Sequence, residues 1–204
     1  MRTSSDLSRL LAVALLAATF AATPLATAQA GTITYRAVLN GPNEAPPIES
    51  KGTGLATVVY DDVARTLLVS ATFQDLTGTT TAAHIHAATS VAGTGTAGVA
   101  TTTPTFPGFP AGVTSGTYSN LFDLTQASSW NAAYVTAYGG TTAGAEVALA
   151  AAMANGQAYF NIHTSFARGG EIRGFLQRVP EPGSSIVLLG IGVAGLAARR
   201  QRRR

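Results

Sequence analysis

The chain has 204 residues, no cysteine, 22 glycines and only 11% charged side chains. Without thiols there are no disulfides, thiolate metal ligands, cysteine nucleophiles or iron–sulfur clusters, so any metal site must use histidine, carboxylate or backbone oxygen. The net charge of +3 resides in the two ends: between 31 and 178 six cationic side chains meet eight carboxylates, which excludes a basic nucleic-acid surface there.

At the start, Arg2 and Arg9 precede an apolar stretch over 10–22, Pro24 breaks it, and Ala28-Gln29-Ala30 has the small-x-small form that signal peptidase cleaves. Residues 1–30 therefore read as a secretory signal peptide with Gly31 as the mature start. The protein is expected to be exported.

Strand patterns dominate the middle of the chain. Over 32–40, Ile33, Tyr35, Ala37 and Leu39 alternate with Thr32, Thr34 and Arg36, the period of a half-buried strand, and Asn40-Gly41-Pro42-Asn43 ends it. The β-branched runs 54–60 and 66–73 flank a turn-forming 61–65 and predict a hairpin. A short strand over 82–87 leads into 88–116, so dense in Thr, Gly and Pro that it reads as either a functional loop or a poorly ordered insertion, with composition favouring mobility. The next strand is expected over 116–124. A short helix is expected over 125–137 with Thr125 as N-cap, and a second over 143–154 that stops at Asn155-Gly156. Trp130, Tyr134 and Tyr138 fall at helical spacing, which suits burial against a sheet or, as an alternative, a carbohydrate-binding platform. Strands over 157–164 and 171–177 close the domain. The prediction is an all-β fold, a mainly antiparallel β-sandwich or barrel with a small helical insertion, over 31–178.

All three histidines fall in strand segments, where alternation decides their direction. His84 and His86 flank Ile85 and share a face; Tyr159, Asn161 and His163 lie opposite Phe160 and Ile162; Glu171 and Arg173 flank Ile172. If the aliphatic sets face one core, His84, His86, Asn161, His163, Glu171 and Arg173 form one polar surface. Three neutral imidazoles suit Zn or Cu with an open fourth position, with Glu171 orienting one ring from behind. The alternative is a hydrogen-bonded cluster in which Glu171 pairs with Arg173 and the rings tie loops to the sheet.

After the domain, Pro180-Glu181-Pro182 leads into a glycine-bearing apolar segment, 184–198, and then Arg199-Arg200-Gln201-Arg202-Arg203-Arg204. As a helix the segment would reach about 22 Å, short of a hydrocarbon core of about 30 Å, with the arginines held on the cytoplasmic side. This end, 179–204, resembles the PEP-CTERM sorting signal of Gram-negative bacteria. The resemblance implies recognition by an exosortase in the inner membrane, removal of the tail, and delivery to the cell surface or matrix.

A second resemblance rests on four ordered motifs: Leu39-Asn40-Gly41-Pro42-Asn43-Glu44-Ala45-Pro46-Pro47, then Ala83-His84-Ile85-His86, then Tyr159-Phe160-Asn161-Ile162-His163, then Gly169-Gly170-Glu171-Ile172-Arg173-Gly174. Together they resemble the CHRD (chordin) domain, with Glu44, Pro46, Pro47, Asn161, Glu171 and Arg173 as its motif residues. That family implies an all-β, immunoglobulin-like or barrel fold, an extracellular setting and no established enzymatic activity. The Thr/Gly/Pro-rich insert departs from its usual short glycine loop. The resulting expectation is a non-enzymatic surface or matrix module, with a polysaccharide or surface protein as partner. A His-based Zn or Cu protein with redox capacity is the alternative, since the paired strand histidines distantly resemble copper-zinc superoxide dismutase.

Overall fold

Alternation of side chains builds the sheet. In β1 (Thr32–Asn40), β2 (Thr53–Asp61) and β3 (Thr66–Gln74) alternate residues are buried: Tyr35, Ala37 and Leu39, then Ala56, Val58 and Tyr60, then Leu67, Val69, Ala71 and Phe73. The three strands pair antiparallel without a slip, Thr32 opposite Asp61 and Thr53 opposite Gln74. The predicted hairpin turns through Asp61, whose Oδ1 accepts from the N–H groups of Val63 and Ala64, and through Arg65 at φ 54°. The computed structural model describes residues 31–180; the signal-peptide segment 1–30 and the tail from Glu181 onward lie outside the described residues.

β5 (Gly116–Asp123) joins β3, while β7 (Ile172–Phe175), β6 (Tyr159–Thr164) and β4 (Thr80–His86) extend the sheet on the other side of β1. A two-residue β8 (Gln177–Arg178) also pairs with β1. The order is β4-β6-β7-β1-β2-β3-β5, with every pairing antiparallel. This single sheet curls into a half-barrel around one core, so of the two expected arrangements the barrel is the nearer. Expected strand 171–177 is interrupted at Leu176, whose side chain is fully buried.

Segment 88–115 is where composition misleads. It packs along the free edge of β4: the N–H of Ala83 donates to Thr105 Oγ1 (3.0 Å), that of Ile85 to Thr101 Oγ1 (3.0 Å), and those of Ala100 and Phe106 to the carbonyls of Ile85 and Ala83. Threonine hydroxyls thus serve as acceptors for an edge that would otherwise stay open. Ala100 and Phe106 are fully buried, and Phe106 packs among Tyr118, Phe122 and Phe160.

The helical insertion is smaller at its start than predicted. Thr125 does not cap it; its hydroxyl and N–H both bond to Asp123 Oδ1, and a single 3-10 turn at Ala127–Ser129 comes next. α1 (Ala132–Ala137) begins instead on Asn131, whose Oδ1 accepts from Ala133. Trp130 and Tyr134 are buried core residues, the indole N–H donating to the Leu124 carbonyl, and of the three only Tyr138 is well exposed, so these three do not form a surface platform. α2 (Thr142–Ala154) is capped by Thr141 and ends at Asn155 and Gly156, the latter at φ 66°. Its Ala145, Leu149 and Met153 pack into the core, and Glu146 accepts from Arg65 and Tyr60 at the β2–β3 hairpin.

Candidate metal centre

The register of β4 on β6 places the histidines. Ala83 opposes Ile162 and Ile85 opposes Phe160, all four fully buried in the core. The intervening residues must therefore face the other side of the sheet. There His84 lies across from Asn161, His86 from Tyr159, and Asn161 in turn from Arg173. His84, His86, Asn161, His163 and Arg173 come together as the alternation predicts, but this face is not an exposed surface. Segment 95–104 covers it, leaving His84 at 6% and His86 at 8% exposure.

Glu171 departs from the predicted cluster. Its carboxylate accepts from Ser50 Oγ (2.6 Å), Thr164 Oγ1 (2.6 Å) and the N–H groups of Thr77 (2.6 Å) and Gly78 (3.0 Å), so it neither orients an imidazole nor pairs with Arg173. Burial alone would raise this carboxyl, but those donors outweigh it and hold the group below its ordinary value. The reason is positional: Glu171 precedes the first paired residue of β7, where the strand rule that governs Arg173 does not yet apply, and its side chain fills a nest of donors beside Thr77.

Backbone carbonyls do the orienting. His84 Nε2–H donates to Pro104 O (2.7 Å), His86 Nδ1–H to Ala97 O (2.9 Å) and His163 Nδ1–H to Arg168 O (2.9 Å). A carbonyl only accepts, so the outer nitrogen of each ring must carry its proton. Burial lowers the pKa of all three rings, His84 and His86 to about 4, so each is neutral at pH 7 and its inner nitrogen bears a lone pair. The three rings converge. His84 Nδ1 is buried with no partner, His86 Nε2 and His163 Nε2 stand 3.4 Å apart, and ligand nitrogens of the three rings lie within 4.8 Å of one another.

A hydrogen bond between the two Nε2 atoms would require a second proton on one ring, which burial opposes. The lone pairs of His86 and His163 therefore face each other, and that of His84 is buried without a partner, which costs about 1–3 kcal/mol for such a group. A cation at their centre would resolve this. Metal–nitrogen bonds of about 2.0–2.1 Å place tetrahedral ligand nitrogens about 3.3 Å apart, close to the 3.4 Å of His86 and His163. The ligand nitrogen of His84 lies within 4.8 Å of the other two, so closure onto one ion would need an inward shift of that ring.

Comparison with known proteins gives the domain its family. The CHRD domain matches residues 35–176, and the PEP-CTERM protein-sorting motif matches residues 178–204. The chain belongs to the CHRD-domain family. No curated protein and no solved structure matched it. A CHRD domain followed by this motif makes the protein an exported module sorted to the cell surface or extracellular space, and the motif implies processing by an exosortase system. The family brings no catalytic activity with it.

The remaining CHRD motif residues support the same face. Arg173 donates to the carbonyls of Asn43 and Gly95, lies 3.6 Å from Glu44 Oε2, and stacks 4.7 Å above the Tyr159 ring, which itself stacks on His86 at 4.9 Å. Burial pushes Glu44 up to about 7, against the opposing pull of Arg173. Glu44 Oε1 and Asn161 Oδ1 both lack partners and crowd Gly170, whose φ of 131° and missing Cβ make room for them. Pro46 and Pro47 line a shallow groove of about 1000 Å³ with Arg36 and Phe175, away from the imidazoles. Sequence reasoning missed Tyr159 as a support for His86, and missed the carbonyls of Ala97, Pro104 and Arg168; only alternation along 159–163 pointed toward the tyrosine.

Proposed function

We propose that this CHRD protein is a metal-holding module of the cell surface or extracellular matrix, in which His84, His86 and His163 bind one Zn or Cu ion. In this reading signal peptidase cuts after Ala30, the Pro180-Glu181-Pro182 tail passes through the inner membrane as a short anchor, and an exosortase removes it. The released domain then meets a matrix polysaccharide or another surface protein. Two features support the export steps. β1 starts one residue after the cleavage site, and the Gly31 nitrogen lies 2.8 Å from Asp62 Oδ1, where a newly freed α-ammonium would find a carboxylate.

The observation that carries the metal reading is the clustering of three neutral imidazole rings whose ligand nitrogens lie within 4.8 Å, each ring fixed from behind by a carbonyl. The test is elemental analysis of the protein purified from the extracytoplasmic fraction without a chelating resin, followed by Zn and Cu titration of the wild type and His84→Ala/His86→Ala. About one equivalent of metal, lost in the double variant, is expected for a three-histidine site. A wild type that stays empty and binds weakly, while the variant merely melts lower, would make the rings structural.

A further inference from the structure

Resting on that metal-binding reading, we infer that the trihistidine site selects a monovalent d10 ion, Cu(I), over Zn(II). Charge decides this, because geometry does not. Bonds of about 2.0 Å give nitrogens about 3.5 Å apart in a trigonal plane and about 3.3 Å apart in a tetrahedron, and the observed 3.4 Å suits either.

The donor set is neutral throughout. A carboxylate behind a zinc-bound histidine returns negative charge to the site, and here none does so, because all three outer N–H groups end on backbone carbonyls. The two carboxylates among the motif residues are engaged elsewhere, Glu171 by its four donors and Glu44 beside Arg173. The charge closest to the rings is positive, with the Arg173 guanidinium stacked on Tyr159 and Tyr159 on His86, and Glu44 3.6 Å from Arg173 offsets only part of it. Burial of an ion scales with the square of its charge, so a divalent ion meets about four times the desolvation penalty and twice the repulsion from Arg173. Zn(II) would have to bring an anion such as hydroxide as a fourth ligand. Cu(I) is satisfied by three imidazoles alone, and imidazole is a good copper donor.

The experiment titrates the unmodified protein anaerobically with Cu(I) against a colorimetric cuprous chelator, and separately with Zn(II) against a zinc chromophore, between pH 6.5 and 8.5. We expect one equivalent of each, with Cu(I) bound at least about a thousandfold more tightly. Zn(II) affinity should climb with pH as hydroxide enters, while Cu(I) affinity stays level once the imidazoles are neutral. Ag(I), a redox-inert monovalent probe, should displace Zn(II) stoichiometrically. Zn(II) binding as tight as Cu(I), or failure of Ag(I) to displace it, overturns the selectivity and leaves the metal site standing. If neither ion binds, both readings fall.

Discussion

A buried imidazole is tolerated here only as a neutral ring, and this ties stability to pH in the metal-free protein. His84 and His86 titrate near 4 when folded against an ordinary 6.5, so their contribution is full above pH 6.5 and is lost as the pH falls toward 4. Glu44, near 7 when folded against 4.5, runs the other way: its contribution is full below pH 4.5 and is lost as the pH rises through 7. Between pH 4.5 and 6.5 unfolding takes up about two protons at the rings and releases about one at Glu44, a net loss of roughly 1.4 kcal/mol per pH unit on acidification. His163 adds in the same direction. Glu44→Gln removes the opposing proton and should roughly double that slope, which denaturant melts of chelator-treated protein across this range would measure. A slope that stays put or shrinks would contradict the assignment of Glu44. Gly170→Ala belongs to the same scale. An added Cβ would collide with Asn161 and Glu44 Oε1 at a φ of 131° that disfavours any side chain, so we expect a loss of about 2 kcal/mol or more by the same melts.

At the level of elements, segment 88–115 matters more than any helix. Thr101 and Thr105 satisfy the outward N–H groups of β4, and the same segment carries the Ala97 and Pro104 carbonyls that hold His86 and His84. Edge closure and imidazole orientation are therefore one structural task. Thr101→Val keeps the shape but strips the acceptor from the buried Ile85 N–H, and should lower stability by about 1–3 kcal/mol. Because the segment loosens over the rings, metal affinity should fall with it, by about tenfold or more. Calorimetry for stability and metal titration for affinity would separate the two; unchanged affinity despite lost stability would mean the rings are held without this segment. The strands themselves were legible because period-2 alternation is a local property, and the same rule brought His84, His86, Asn161, His163 and Arg173 to one face. What escaped was non-local. A backbone carbonyl such as that of Pro104 has no residue-type signature, the hydroxyls of a Thr-rich stretch look solvent-bound until an open strand edge is placed beside them, and Glu171 lies just outside the strand whose period was used to aim it.

For the whole molecule, an exported domain with a removable tail must be complete before the tail begins. Its last contacts among the described residues meet this condition. Leu176 is fully buried with its N–H on the Ala158 carbonyl, Gln177 and Arg178 pair with Arg36 and Tyr35, and the Val179 N–H donates to Thr34 O (2.8 Å). The sorting motif matches from residue 178, so it begins at the last described pairings of the sheet, Arg178 with Tyr35 and Val179 with Thr34. A protein ending at residue 182 should therefore keep the melting temperature of the tail-bearing form within about 2 °C, the scatter of surface changes in a domain this size. One ending at 175 loses Leu176 and β8 together and should be destabilised by about 2–5 kcal/mol, as for loss of a buried leucine. Thermal unfolding of the two truncations beside the tail-bearing protein decides it. A large drop for the form ending at 182 would mean that the tail is part of the folded unit, and that its removal at the membrane would release a weakened domain rather than a finished one.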